Sequence, residues 1–411
     1  MSRSAATSLS ACVLGSMELV RPLGLAGIRC AVVAPPGDIA GFSRTVETVI
    51  PWSQPDLLDH ADELLNRLIT FGRQQAERPV LFYEHDAQLL FVSRLRDHLA
   101  PVFRFVIADA KLVEDLVDKI RFHRLAQRLD LPVPRTWHFR PGVDAMPGPR
   151  DLRFPLIVKP PWRSRSWDAL GETAKVMRVN NHKVLREVWV RWTGWGESFG
   201  QDSGFLIQEL IPGPETSIES YHVYVDDTGS VVAEFTGRKI RTLPLHNGHS
   251  TALTTTDAAD VAALGRSLVA RLGLRGVAKF DFKRDPDGRL HLLEVNPRFN
   301  LWHHVGAVGG VNLPALVYAD LTGMPRPARC SIRPDTSWCR FSEDWQAARL
   351  SGVRFRDWLS WALKCEATSL VWDDPMPFVH TFRRTLSDRF TARAKPFGRA
   401  STMVLETGAP R

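Results

Sequence analysis

Short apolar runs alternate with helical patterns over the first quarter of the chain. Apolar residues at helical spacing occupy Leu57–Arg73 and Ala87–Leu99. Strand-like runs lie before, between and after them, at Ala11–Leu14, Cys30–Ala34, Val46–Ile50, Val80–Tyr83 and Phe105–Ile107. Alternation of this kind is typical of a small parallel α/β domain. We therefore predict one such domain over residues 1–107.

The pattern changes to a mixture of helices and hairpins from residue 108. The predicted elements are a helix over Ala110–Leu129, a strand over Phe154–Lys159, a helix over Val184–Trp195, a strand over Phe205–Ile211, a hairpin of Ser217–Val225 with Val231–Gly237, and a helix over Ala258–Leu272. Past Met324 the composition shifts to Pro, Trp and Arg, so residues 326–411 are interpreted as an extension that carries helices.

The segment Gly276–Arg298 has the clearest pattern in the chain. Its runs Val277–Lys283 and Leu290–Asn296 alternate apolar and polar residues around Asp285-Pro286-Asp287-Gly288, a turn sequence. Because strand side chains alternate between faces, one face is expected to carry Phe280, Phe282, Leu293 and Val295. The other face is expected to carry Lys279, Asp281, Leu292, Glu294 and Asn296.

Two carboxylates and an amide oxygen on one face predict a site for a hard cation such as Mg²⁺. Arg298 follows directly after Pro297, and its guanidinium suits a carboxylate or phosphate bound in forked geometry. The alternative is an ordinary solvated hairpin face. That alternative fits poorly, because Asn and Pro are depleted in strands.

Composition narrows the class of protein. A length of 411 residues suggests two or three lobes, and 44% apolar residues are typical of a globular chain. The five Cys residues form no C-x-x-C pair, which predicts reduced thiols in a cytoplasmic protein. No apolar run reaches membrane-spanning length, so no membrane partner is predicted. The net charge of +8 is dispersed, so no nucleic-acid partner is predicted either.

The order D-F…E-V-N-P-R, from Asp281 to Arg298, resembles the metal-binding hairpin of the ATP-grasp superfamily of carboxylate–amine ligases. The resemblance covers residues 110–325 well and 1–107 by architecture only. It implies a mixed α/β and α+β chain with an N-terminal parallel α/β domain (1–107), an ATP-grasp core (108–325) and a C-terminal helical extension (326–411). Within the core it implies a lid over about 118–204 and an antiparallel-sheet ATP-binding subdomain over about 205–325.

The same resemblance implies roles for individual residues. Lys119 and Lys159 would bind the phosphates. The run Gln208, Glu209, Leu210 and Ile211 would bind adenine through its backbone, so the Gln208 and Glu209 side chains are expected to tolerate substitution. Glu215 would accept from the ribose hydroxyls.

Asp281, Glu294 and Asn296 would bind Mg²⁺, as two ions that Mn²⁺ can replace. Arg298 would orient the acyl group. Lys239 and Arg241 would contact the substrate carboxylate or the γ-phosphate, with a solvated basic strand end as the alternative.

The expected activity is an ATP-dependent ligase that activates a carboxylate as an acyl phosphate and couples it to an amine, similar to D-aspartate and amino-acid ligases. A carboxylase-like member using bicarbonate and a non-catalytic nucleotide-binding protein are the alternatives. Small-molecule substrates and a homodimer are expected. The segment Trp162–Trp167 stands where many members have a glycine-rich loop. Glu84–Asp86 at a strand end could serve a ligand or cap a helix, and His303 and His304 could serve as a base or in the core.

Overall fold

The computed structural model describes residues 11–54, 57–140, 143–148, 151–159, 176–193, 204–245, 248–327, 331–368 and 371–383. These residues form three β-sheets: a parallel sheet in the N-terminal lobe, a small sheet in the lid, and a long sheet that carries the predicted metal hairpin.

The N-terminal lobe is built on four parallel strands in the order β3-β2-β1-β4. The strands are β1 Ala11–Leu14, β2 Cys30–Ala34, β3 Val46–Pro51 and β4 Val80–Tyr83, and the helices are α1 Met17–Leu25, α2 Ala61–Arg73, α3 Asp86–Arg94 and α4 Arg96–Leu99. The parallel α/β prediction is confirmed. The predicted fifth strand, Phe105–Ile107, was wrong: only Arg104 bridges Val80, and the Val106 carbonyl accepts instead from the Tyr83 hydroxyl.

Two helices lead into the lid, where a single helix was predicted. They are α5 Ala110–Val117 and α6 Lys119–Arg128. The break lies at Asp118, whose backbone is extended (φ −81°, ψ 121°) and whose carboxylate accepts from the amides of Ile120 and Arg121. An Asp in this position caps the second helix and ends the first.

The lid sheet has the strand order β5-β8-β6-β7. Its strands are β5 Thr136–Phe139, β6 Leu156–Lys159, β7 Met177–Val179 and β8 Phe205–Glu209, and α7 His182–Thr193 packs on it. Since β8 pairs with both β5 and β6, the lid sheet reaches Glu209 and passes the boundary predicted near residue 204.

The long sheet has the order β13-β12-β9-β10-β11-β14-β15. Its strands are β9 Ile218–Val225, β10 Val231–Leu243, β11 His249–Thr256, β12 Gly276–Arg284, β13 Leu290–Asn296, β14 Ser337–Cys339 and β15 Ala367–Thr368. The helices of this region are α8 Ala259–Leu272, α9 Trp302–Val308, α10 Leu313–Thr322, α11 Phe341–Leu350 and α12 Phe355–Ala362, and a last helix spans 376–383. The extension is therefore not only helical, because β14 and β15 continue the sheet of the core.

The hairpin β12–β13 contains a β-bulge that the alternation pattern did not predict. Asp281 pairs with Glu294, but its neighbour Phe282 pairs with Leu292, which leaves Leu293 as the extra residue. Leu292 is therefore fully buried with the phenylalanines, and the expected faces of Leu292 and Leu293 were wrong. A one-residue bulge exchanges the faces of all residues on one side of it.

The N-terminal lobe and the long sheet share their hydrophobic cores. One core joins Tyr83 and Phe91 of the lobe to Phe280 of the hairpin, and another joins Leu19 to Trp302. Within the described ranges, no single helix is both long and apolar enough to cross a membrane; the pair α9 and α10 meets that test only jointly and is bent by 87°.

Candidate active site

The polar face of the β12–β13 hairpin, called here the acid face, carries Asp281, Glu294 and Asn296. Asp281 is only 3% exposed, and its carboxylate accepts from the Ser220 hydroxyl at 2.5 Å. Its second oxygen lies 2.6 Å from the Lys279 ammonium. The Asn296 amide donates to Glu294 at 3.0 Å. The three predicted metal ligands therefore lie together at one edge of the sheet.

Asp281 is held in its charged form although it is buried. Burial raises the pKa of Asp281, but the ammonium groups of Lys279 and Lys239 and a hydrogen bond with Glu294 outweigh that effect, so its pKa lies well below the ordinary value. Two neighbouring carboxyl groups on a partly buried face are a suitable ligand set for a hard divalent cation, which takes them in their ionised form.

The ligand chemistry fits Mg²⁺, with two carboxylates and the Asn296 oxygen as donors. In the described part of the chain, no group of three His, Cys, Asp or Glu side chains gathers in a metal-binding arrangement. A metal at the acid face therefore depends on the amide of Asn296 as its third protein ligand.

Lys159, at the end of β6, faces the acid face from the lid. Its ammonium donates to the Gln208 side chain at 2.8 Å, and Gln208 in turn donates to Thr136 at 2.8 Å. Burial lowers the pKa of Lys159 to about 8; Glu294 opposes this shift and Lys119 adds to it. The Gln208 side chain therefore contacts a phosphate-binding candidate, a contact that the prediction of a tolerant side chain did not include.

Further cations lie beyond the acid face toward the hinge. Lys283 follows Lys279 and Asp281 at alternate positions of β12 and is 7% exposed. Burial lowers its pKa, Glu215 opposes that shift, and Lys239 and Arg178 add to it. These charges therefore lie close to one another. The positive charges outnumber the single negative charge of Glu215, and this suits the binding of a polyphosphate.

The hinge between lid and long sheet has the polar groups that a nucleoside needs. The Glu209 amide is held by the Arg135 carbonyl at 2.9 Å and the Leu210 amide by the Pro155 carbonyl at 3.1 Å, but the Ile211 amide has no partner among the described residues. Glu215 begins a short 3₁₀ turn after Gly213, whose φ of 114° suits glycine.

One Glu215 carboxylate oxygen is buried without a hydrogen-bond partner in the described structure. A buried unpaired acceptor carries a free-energy cost that a ligand hydroxyl removes. This observation fits a ribose at the hinge.

Arg298 joins the acid face to the N-terminal lobe. Its guanidinium donates to the Asp86 carboxylate at 2.5 Å, to the Glu84 carbonyl at 2.8 Å and to the Asn296 amide oxygen at 3.1 Å. Asp86 is the first residue of α3, and Gln88 rather than Asp86 accepts from the amides that precede the helix. The sequence predicted that Glu84–Asp86 either serves a ligand or caps a helix. Asp86 does not cap α3.

Arg241 has a structural contact outside the acid face. It forms two hydrogen bonds with the fully buried Asp344, at 2.8 and 2.7 Å, and lies over the Trp361 ring. Its guanidinium holds the C-terminal extension on the sheet, so we do not include Arg241 in the catalytic set. Lys239, by contrast, is close enough to Asp281 to lower its pKa.

His303 and His304 are buried in α9, and burial lowers the pKa of each to about 3. Both are therefore neutral at ordinary pH. The His304 ring lies 3.8 Å from Glu18 of α1, too far for a hydrogen bond. The geometry favours core positions over a general base for both histidines.

Sequence reasoning missed several members of the cleft. Lys279 was placed on the acid face without a role, and Lys283, Ser220 and Arg178 were not considered. The alternation K-x-D-x-K along β12 is the signal that points to Lys283. The lid segment Trp162–Trp167 lies outside the described residues.

A family model described as ATP-grasp in the biosynthetic pathway with Ter operon matches residues 201–340, which include the hinge and the acid face. The chain is 23% identical over 291 residues to the D-aspartate ligase of Enterococcus faecium (strain Aus0004). That match covers 69% of this chain and 65% of the ligase, so the chain spans just under two thirds of this relative's length.

Solved structures resemble most of the fold. An L-amino acid ligase from Bacillus licheniformis superimposes with a TM-score of 0.59 at 17% identity, covering 81% of this chain and 79% of that one. An ADP complex of N5-carboxyaminoimidazole ribonucleotide synthetase gives a TM-score of 0.59 at 14% identity, covering 81% and 82%. Residues 201–340 therefore match an ATP-grasp domain, and the chain is similar in sequence to a D-aspartate ligase and in fold to an L-amino acid ligase and a carboxyaminoimidazole ribonucleotide synthetase.

Proposed function

We propose that the protein is an ATP-dependent carboxylate–amine ligase. The observation that carries the proposal is the proximity of Lys159 of the lid to Glu294 of the acid face and to Lys119, together with an unpaired Glu215 oxygen at the hinge. The similarity to a D-aspartate ligase and to the fold of an L-amino acid ligase supports the same class of reaction.

Different residues bind different parts of ATP. The hinge backbone at Glu209–Ile211 binds adenine, Glu215 accepts from the ribose, and Lys119, Lys159 and Lys239 neutralise the phosphates. Asp281, Glu294 and Asn296 would hold Mg²⁺, as two ions that Mn²⁺ can replace, and the metal would supply neutralisation of the phosphate charge. Arg298 faces the charge that develops during phosphoryl transfer.

The reaction then has two displacements. A substrate carboxylate oxygen attacks the γ-phosphorus, the bond to ADP breaks, and an acyl phosphate forms. An amine nitrogen attacks the acyl carbon, inorganic phosphate leaves, and the nitrogen loses a proton to solvent as the amide bond forms. Catalysis in the first step consists of positioning and electrostatic stabilisation.

A bicarbonate-using enzyme is the second candidate, because the similar fold of a carboxyaminoimidazole ribonucleotide synthetase supports it equally by TM-score. In that case bicarbonate takes the place of the organic acid. A nucleotide-binding protein without catalysis is the third candidate. The complete set of metal ligands and lysines argues against it.

An ADP-release assay with Mg²⁺–ATP separates these candidates. Pools of amino acids, sugar acids and dicarboxylic acids are tested with and without amine acceptors, and bicarbonate is tested alone. Release that requires an acid and an amine supports the ligase. Release with bicarbonate alone supports the second candidate. Mg²⁺-dependent ATP binding without release from any pool contradicts the ligase and supports the non-catalytic protein.

We further propose small molecules as the reaction partners, without nucleic acid or membrane, and a homodimer in the cytoplasm. The dispersed charge and the cysteine content support this picture.

A further inference from the structure

The guanidinium of Arg298 is almost fully engaged by the protein itself. It donates through Nε to Asp86, through Nη1 to the carbonyls of Glu84 and Phe299, and through Nη2 to Asn296. A guanidinium has five N–H donors, so these four contacts leave one of them, on Nη2. Arg298 therefore cannot bind an anion in the forked geometry without giving up a contact.

The strongest of these contacts comes from outside the ATP-binding part of the chain. Asp86 belongs to the N-terminal lobe, 212 residues from Arg298 in sequence, and is the charged acceptor of the set. Its side chain is 53% exposed, whereas that of Arg298 is 17% exposed. Asp86 therefore stays accessible to solvent while Arg298 is mostly covered, and it begins α3 just past the end of β4, where a parallel sheet presents ligands.

The remaining contacts extend this link to the acid face. Arg298 donates to the Asn296 oxygen at 3.1 Å, and the Asn296 nitrogen donates to Glu294 at 3.0 Å. The hydrogen bond from Arg298 therefore orients the Asn296 amide. Asp86, in turn, holds the Arg298 guanidinium in position.

We propose that Asp86 is a positioning residue for Arg298: its carboxylate holds the guanidinium so that the one remaining N–H is directed at the phosphoryl group in transfer. The inference rests on the proposed function, and it assigns the N-terminal lobe a part in phosphate recognition. Asp86 itself touches neither nucleotide nor phosphate in this proposal.

The test uses inorganic phosphate as the probe, so that it needs no knowledge of the acid or amine. Calorimetry measures Mg²⁺–ADP binding to the full-length protein, and then phosphate binding at saturating Mg²⁺–ADP. Asp86→Ala is expected to weaken phosphate binding about tenfold, while Mg²⁺–ADP affinity changes less than about threefold. Asp86→Glu keeps a carboxylate and is expected to restore part of the loss.

Glu47→Gln is the matched control. Glu47 pairs with Arg29 at 2.8 Å in the same lobe, away from the cleft, and this variant is expected to bind both ligands as the wild type does. Thermal unfolding of each variant shows that it is folded.

Three results overturn the inference. They are unchanged phosphate binding in Asp86→Ala, equal loss of phosphate and Mg²⁺–ADP binding in that variant, and an equal phosphate defect in Glu47→Gln. If the wild type binds no Mg²⁺–ADP, the proposed function fails, and the inference fails with it.

Discussion

Glu294 is the most accessible of the three acid-face residues, and it contacts both Asp281 and Asn296. We predict that Glu294→Gln lowers ADP release about a hundredfold or more, because the substitution removes a charged metal ligand. Nucleotide binding by this variant is also expected to depend less on Mg²⁺, which is measured by titrating nucleotide with and without Mg²⁺. Asp287→Asn, at an exposed position in the turn of the same hairpin, is the control. Normal turnover in Glu294→Gln would contradict the metal assignment.

We predict that Lys159 makes the affinity for ATP depend on pH. Because its pKa is lowered to about 8, the ammonium is present below that pH and is lost as the pH rises through it. ATP affinity is therefore expected to fall between about pH 7.5 and 9.5, where the phosphates themselves are already ionised. Lys159→Arg stays charged over this range and is expected to show a flat profile. Calorimetry at several pH values checks both, and a flat wild-type profile would refute the role of Lys159.

The residues that sequence reasoning found are those whose pattern is local. Asp281, Glu294 and Asn296 follow from alternation along two strands joined by a short turn. The Gln208 contact with Lys159 could not be found in this way, because it depends on the pairing of β8 with β6. Asp86 next to Arg298 depends on the packing of two lobes.

At the scale of elements, α11 and α12 are fixed to the sheet by a buried ion pair. Asp344 accepts from Arg241, from the Thr251 hydroxyl at 2.9 Å and from the Trp358 ring at 2.8 Å. Asp344→Ala leaves a largely buried guanidinium unpaired, so we predict a loss of about 3–5 kcal/mol in the free energy of unfolding. Denaturant unfolding measures it.

Asp357→Ala, which removes an exposed partner of Arg354, is expected to change little and serves as the control. Equal stability of Asp344→Ala and the wild type would show that the pair does not anchor the extension.

Most helices and strands could be predicted because their apolar spacing is regular. The helices and strands that were not predicted depend either on one capping residue or on pairing with a strand far away in sequence. Asp118 caps α6 and splits a continuous helical pattern. β14 and β15 are three and two residues long, too short for any alternation to show. β14 forms because β11 offers it an edge, and β15 pairs with β14 in turn.

At the scale of the whole molecule, the extension returns to the N-terminal lobe. Asp374, 6% exposed, accepts from the Ser43 hydroxyl at 2.6 Å and from the Arg44 amide at 3.0 Å. We predict that Asp374→Ala releases residues 371–383, because the unpaired groups on the lobe cost about 1–3 kcal/mol. Limited proteolysis should then cut this segment faster.

Asp373→Ala removes only an exposed partner of Arg44 and is the adjacent control. If both variants resist proteolysis as the wild type does, Asp374 does not fasten the segment.

The architecture of lobe, lid and long sheet was predictable because a resemblance to one hairpin fixed the order of the parts around it. The sequence held no comparable signal for the path of the extension. The short strand β14 and the buried Asp374 fix that path. Neither could be recognised from the sequence, because each acts through contacts with distant residues.

The bulge at Leu293 has a consequence for how such hairpins diverge. With Leu293 deleted, Leu292 and Glu294 would become neighbours on opposite faces of an unbroken ladder, so Leu292 would stay in the core and Glu294 would still oppose Asp281. Loss of that residue would leave both faces intact. We therefore expect the number of residues between the two carboxylates proposed to bind metal to vary by one among distant relatives. A motif written with fixed spacing would overlook hairpins that build the same site.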